Sequence, residues 1–342
     1  MPRTTGQLTL TLGVSAALVL SGCAGRGSAS VQQGSDGSKT ISIAVSQWPS
    51  LAFSVPYQVA MQQGYFADQR ITIKEVIASQ GGGTTVRSIL AGDLAFGEVA
   101  TSALVESQKS GSTLVGVGGG AQKVAEIVWV APLNSPLNSI KDLAGHKVGY
   151  TNAGSVTQSA LAIALARAGV DPATVQQRAT GGVSEGLTAM KGGAVDATIH
   201  SDPVYSAQEK DYKLLWRSTD YISDYQQTVI VTSPKLVRDD PQLVTKFLDA
   251  RARALDFMKS HPDETARIWS EKGGVPADAA RKTIDELLKV EEWNVGFNAE
   301  GLATAQQGMR DAGLIGQNET VDWSKYLNQD LLPRGVAPVR LP

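Results

Sequence analysis

Four short runs place small residues beside hydroxyls: Gly81-Gly82-Gly83-Thr84-Thr85, Ala100-Thr101-Ser102, Gly154-Ser155-Val156-Thr157 and Gly181-Gly182-Val183-Ser184. Each stands before a stretch that patterns as a helix. The first turn of a helix leaves backbone N–H groups unpaired and carries a partial positive charge. With hydroxyls alongside, such a run can donate several hydrogen bonds to one acceptor oxygen. That chemistry is binding rather than bond-making. Any one run also has a plain structural reading, because Ser and Thr cap helices and Gly makes turns. The residues singled out for ligand contact are Gly82, Gly83, Thr84, Thr101, Ser155 and Thr157.

Two acids and two aromatics extend this set. Glu98 follows Gly97 at the end of a short apolar run, and Asp202 precedes Pro203. A carboxylate beside helix starts could bind an ammonium or a ring N–H, which favours a zwitterion or a heterocycle; the alternative is an ion pair at the surface or a hinge. Trp48 and Tyr205 could each form an aromatic wall over a ligand, or could simply pack. Trp129 and Trp216 lie in apolar strand patterns and are assigned to the core.

Bond-making chemistry finds less support. Gly182-Val183-Ser184-Glu185-Gly186 matches a nucleophile elbow, with His200 or His261 as conceivable bases. An elbow needs an apolar strand before it, and Gln176-Gln177-Arg178-Ala179-Thr180 is polar. A serine hydrolase using Ser184 therefore stands as the alternative to a binding protein. Gly116 to Ala121 echoes a dinucleotide loop, but a strand rather than a helix follows. With 3 His and 1 Cys, the chain offers no Cys/His zinc site and no internal disulfide. No cofactor is expected. A net charge of −2 provides no field to hold nucleic acid.

The elements that must position these residues alternate. Strand patterns occur at 41–45, 71–76, 94–97, 114–117 and 127–130, with helix patterns between them. A second set follows, with strands at 147–150, 194–199 and 213–216. A last strand at 227–232 leads into a mainly helical third. There Asp240-Pro241 caps a long helix whose Leu243, Phe247, Ala250, Ala254 and Met258 share one face. Two such sets argue for an α/β fold of two similar lobes, each a mostly parallel sheet flanked by helices. At 342 residues the chain is long enough for both. The helical third is expected to return to the first lobe, with crossings near 124–129 and 225–229.

The start of the chain reads as an export signal. Arg3 precedes an apolar stretch from Leu8 to Leu20, and Leu20-Ser21-Gly22-Cys23 ends it. That ending resembles the bacterial lipobox, and the chain's single Cys falls where lipidation requires it. Residues 1–22 are then a signal peptide, Cys23 carries the lipid, and 23–39 form a flexible tether. The first lobe is expected over 40–126, the second over 127–226, and the helical part of the first over 227–342. The folded part would sit outside the cytoplasm, on the periplasmic or extracellular face.

Several segments together resemble the nitrate/sulfonate/taurine family of ABC-importer binding proteins, which also has thiamine-precursor members. They are Tyr57 to Phe66 (YQVAMQQGYF), Ile89 to Gly97 (ILAGDLAFG), Asn138 to Gly149 (NSIKDLAGHKVG), Val195-Asp196-Ala197, Asp202-Pro203 and Asp240 to Met258. The resemblance spans about residues 40 to 330. It implies a type II periplasmic-binding-protein fold with two hinge crossings. It also implies a monomer that captures a small molecule between its lobes, with an ABC permease and its ATPase as partners. A small organic anion or zwitterion, such as a sulfonate or taurine, is the ligand class implied. A thiamine pyrimidine precursor, an aromatic carboxylate or a sensor role are the alternatives.

Overall fold

A computed structural model describes residues 30–79 and 82–342. Its strands are β1 (Val31–Gln33), β2 (Lys39–Ser46), β3 (Ile71–Ser79), β4 (Phe96–Ala100), β5 (Val115–Gly119), β6 (Ile127–Pro132), β7 (Lys147–Tyr150), β8 (Gln176–Ala179), β9 (Thr198–Ser201), β10 (Tyr212–Arg217) and β11 (Thr228–Thr232). The alternating apolar residues of β2 explain its place in the interior of the first sheet. Ile41, Ile43 and Val45 are buried, and so is Ala44 on the opposite face. Helices cover both sides.

The first sheet has the order β3-β2-β4-β11-β5, and β1 lies antiparallel against the start of β2. β3 and β4 run parallel to β2, and β11 is antiparallel to both β4 and β5. In the second lobe β7 pairs with β8 in parallel, and β6 is antiparallel to both β9 and β10. A parallel bridge from Val148 to Ala197 joins these pieces. The second order is then β8-β7-β9-β6-β10, the same plan as the first. Four of the five strands in each plan run one way, and the fourth in order is reversed.

That reversed strand has a simple cause. The chain leaves β5 at Gly119, crosses through 120–126, and enters the second lobe as β6. It leaves β10 at Arg217, crosses back through 218–227, and enters the first lobe as β11. A strand arriving from the other lobe must run against strands that depart toward it. It follows that the carboxyl ends of the parallel strands in both lobes face the double crossing. Ligands of open α/β sheets bind at such ends.

The C-terminal third differs from expectation in one respect. The helix Pro241–Ser260 does pack on the first lobe, capped by Asp240, which accepts from the Leu243 amide at 3.1 Å. Its Phe247 stacks on Phe96 with ring centroids 4.0 Å apart. The helices Ala277–Lys289 and Ala299–Asp311, however, touch both lobes. Lys282 pairs with Glu209 at 2.7 Å, and Arg217 with Glu286 at 3.8 Å. Along Ala299–Asp311, Leu302 and Met309 join the first lobe's core and Ala305 the second's. A helix with apolar residues on more than one side can serve two cores, and a single-face reading of its sequence misses this.

The expected tether also ends early. From Val31 the chain pairs with β2, and Asp36 closes the intervening turn by accepting from the Ser38 amide and hydroxyl at 3.0 and 2.6 Å. The unpaired edge at the start of β2 gives this polar segment a partner that its composition does not announce. Cys23, the signal peptide and the beginning of the tether lie outside the described residues, as do Gln80 and Gly81. Among the described residues no helix is long and apolar enough to cross a membrane.

Candidate functional site

The ends of β4 and β9, one from each lobe, are tied to the two crossings. The Thr101 amide donates to the Gln227 carbonyl at 3.0 Å, and the Asp202 amide to the Glu126 carbonyl at 2.9 Å. Between them, Gln227 Nε2 donates to Glu126 Oε1 at 2.6 Å. The loop after the helix Ala277–Lys289 joins this junction through the first crossing. There the Gln122 amide donates to the Glu292 carbonyl at 2.6 Å, and the Ala125 amide bonds to the Glu292 carboxyl.

Thr101 opens the helix Thr101–Lys109 and is 1% exposed, with no partner for its Oγ1. Thr85, in the first helix start, has an equally buried and unpartnered Oγ1. Gly82, Gly83 and Thr84 are the first three residues of that helix, Gly82–Leu90. In the second lobe, Ser155 caps the helix Val156–Ala168 by accepting from the Gln158 amide at 3.2 Å. Thr157 Oγ1 gathers the Thr151 amide at 2.9 Å and the Thr151 and Ser155 hydroxyls at 2.8 and 2.9 Å. The two helix starts meet directly. Ser102 Oγ donates to the Gly154 carbonyl at 2.9 Å, and a Cβ at Gly154 would lie 3.2 Å from the Glu106 carboxylate. The geometry therefore sets Thr101 and Ser102 opposite Ser155 and Thr157.

The other predicted residues have different company. Glu98 is 1% exposed and fully engaged inside the first lobe. It accepts from the Tyr57 hydroxyl at 2.6 Å and the Thr228 hydroxyl at 2.5 Å, with Arg251 Nη2 at 3.7 Å. The cation expected from a ligand is supplied by Arg251, because a carboxylate this deep needs a partner within the fold. Asp202 is likewise spoken for. Its Oδ1 accepts from the Ser206 amide and hydroxyl at 2.9 and 2.6 Å, and Arg217 approaches Oδ2 at 3.4 Å. Tyr205 is 4% exposed and packs edge-on to His200 in the second lobe's core. Trp48, half-buried, packs against the first lobe's core. For both aromatics the packing reading describes the contacts observed.

The fourth helix start serves itself. A Cβ built on Gly182 would lie 2.5 Å from Glu185 Oε2, so the Glu185 carboxylate already folds over that end. Ser184 is exposed on this helix, behind the polar and mostly exposed strand β8. His200 is fully buried, its Nδ1 accepting from the Ser201 amide at 2.9 Å. His261 stacks on Phe257 at 4.5 Å. Both candidate histidines thus make contacts of their own.

Three residues at the floor were not singled out from sequence. Glu126 and Glu292 are 2% and 1% exposed. One oxygen of each, Glu126 Oε2 and Glu292 Oε2, has no hydrogen-bond partner, and neither has Gln227 Oε1. Burial, helped by the negative Asp202, pushes the Glu126 carboxyl up to about 7. Burial and the nearby Glu126 raise Glu292 well above the usual carboxylate range. A buried Glu in a crossing segment looks like any surface Glu in sequence; its one signal is its place just before an apolar strand.

The family profile described as NMT1/THI5 like matches residues 53–265, well over half of the chain. The chain belongs to the NMT1/THI5-like family. A Bacillus subtilis (strain 168) protein, provisionally assigned as an aliphatic sulfonates-binding protein, is 25% identical over 266 residues, covering 75% of this chain and 76% of its own. The riboflavin-binding protein RibY of Chloroflexus aurantiacus is 24% identical over 315 residues, 86% of each chain. Among solved structures, the periplasmic aliphatic sulphonate binding protein SsuA of Escherichia coli superimposes with a TM-score of 0.70. It is 21% identical and covers 89% of this chain and 96% of that one. This likeness bears on the fold: the two-lobed periplasmic-binding-protein architecture of this NMT1/THI5-like chain.

Proposed function

We propose that this chain is the extracytoplasmic substrate-binding component of an ABC importer, lipid-anchored through Cys23. It captures a small organic anion or zwitterion of the sulfonate or taurine kind between its lobes. One observation carries the reading: two sheets of the same plan turn their strand ends toward a shared double crossing, with hydroxyl-bearing helix starts opposed at Ser102 and Gly154. Ligand bound to one lobe would gain donors from the other as they close, and closure favours the bound form by what the second lobe adds. No covalent step is involved. A heterocyclic ligand is the second reading, favoured by the match to a riboflavin-binding protein over 86% of the chain.

The test is thermal unfolding of the purified protein against sulfonates, amino-sulfonates, nitrate, aromatic acids, pyrimidines and riboflavin. A true ligand at a hundred times its Kd adds about 2.7 kcal/mol. Thr84→Ala and Ser155→Ala should each shrink that gain, and an unchanged gain in both removes these helix starts from the site. Recovery of chemically altered ligand would overturn the non-catalytic reading.

A further inference from the structure

We infer that the cleft floor of this binding protein is an acceptor site for nitrogen: the carboxyls of Glu126 and Glu292, with the Gln227 amide oxygen, take the N–H groups of a ligand's ammonium or heterocycle. The inference rests on the binding-protein reading and narrows its substrate class.

Four acids lie buried along the crossings: Glu98, Glu126, Asp202 and Glu292. Two of them have cations, Glu98 from Arg251 and Asp202 from Arg217. The charges acting on the other two are mostly of their own sign. Glu126 feels Asp202, and Glu292 feels Glu126 and Glu98, offset by Lys123, whose Nζ pairs with Asp224 at 2.8 Å. A buried polar atom without a partner is a cost that folds normally avoid. Here three acceptor atoms, Glu126 Oε2, Glu292 Oε2 and Gln227 Oε1, go without in one place, on side chains no more than 2% exposed. The nearby donor Thr101 Oγ1 is also unpartnered. The place is where the two crossings hold the residues that follow β4 and β9, Thr101 and Asp202, at the base of the proposed binding cleft. In its ionised form each carboxyl presents an unmet acceptor that needs a donor, and a sulfonate or nitrate group has none. An ammonium or a ring with N–H groups has them, leaving any acidic part of the ligand to the helix starts at Thr101 and Ser155.

The experiment compares two halves of one panel on the full mature protein. N–H-free anions (ethanesulfonate, nitrate, benzoate) are set against N–H bearers (taurine, aminopyrimidines, riboflavin), with Kd from titration calorimetry. The expected result is at least tenfold tighter binding among the N–H bearers. Glu126→Gln and Glu292→Gln should weaken that binding by tenfold or more, while the melting temperature of the free protein at pH 8 stays level or rises. An ammonium ligand should also release protons on binding near pH 7, seen as a dependence of the measured heat on the buffer's ionisation. Tight binding confined to N–H-free anions would overturn this inference and leave the binding-protein reading standing. Unchanged Kd in both variants would do the same, making the acids structural. Binding by no member of the panel would instead count against the binding-protein reading, and this inference would fall with it.

Discussion

Glu98 and Glu126 are both buried acids at the junction of the lobes, yet they make different demands on the protein. Glu98 is balanced within the fold by Tyr57, Thr228 and Arg251. Glu126 is not, and it holds a proton in the folded state that the unfolded chain would release. Its folded value of about 7 lies above the ordinary 4.5. The native state then binds more protons than the unfolded state between those values, so stability falls as pH rises from about 4.5 to about 7 and levels off above. The span is of order 3 kcal/mol for a shift of this size, and it belongs to the interacting pair with Glu292 rather than to one residue. Glu126→Gln should flatten this fall, read as urea midpoints at pH 5 and pH 8. His200 works in the opposite direction. Burial lowers its value, so its contribution is lost as pH falls below 6.5. Taking the difference between parent and variant cancels that term. A variant whose midpoints fall as steeply as the parent's would show that Glu126 is charged in the folded protein across this range. The residue scale is also where sequence reading was weakest. Glu98 is expected at the end of a strand but lies in the middle of β4, and nothing local to it reveals an Arg on a distant helix. The partners of a carboxylate are a tertiary property.

At the scale of elements the sequence is far more legible. Strands buried on alternating residues or on both faces, such as β2, β6 and β11, carry a hydrophobic pattern that needs no partner to be seen. The two strands missed, β1 and β8, are short, mostly exposed edge strands with polar sequences, where no such pattern exists. The helix Ala299–Asp311 belongs to the helical third expected on the first lobe, although its burial serves two. Gly308 is what lets it lie close to the second lobe. A Cβ there would sit 2.8 Å from Ile163 Cδ1 and 3.0 Å from Ser159 Cβ. Gly308→Val should push this helix away from Val156–Ala168 and cost about 1–3 kcal/mol, as overpacking does. Chemical denaturation measures it. A helix interior usually gains when Gly is replaced, so a stabilised Gly308→Ala together with a neutral Gly308→Val would mean that the helix has room to spare.

At the scale of the whole molecule, the reversed strand of each sheet and the double crossing are one fact seen twice. They place every parallel strand end, and with it the helix starts proposed to bind ligand, on the side where the lobes meet. Closure then turns on few direct contacts between opposed helix starts, of which Ser102 Oγ to the Gly154 carbonyl is the clearest. Its net worth is about 1 kcal/mol, as for hydrogen bonds in general, and it exists only while the lobes touch. Ser102→Ala should therefore lower ligand affinity by up to about fivefold. The first encounter involves one lobe and does not use this bond, so the loss should fall on the rate of ligand escape and leave the association rate unchanged. Stopped-flow fluorescence of the Trp residues separates the two rates. A slower association with unchanged escape would mean that Ser102 greets the ligand itself, and the contact with Gly154 would then be incidental to closure. An intact pair of rates would mean that the lobes are held together elsewhere, by Lys282 with Glu209 and by the helix Ala299–Asp311 that rests on both cores.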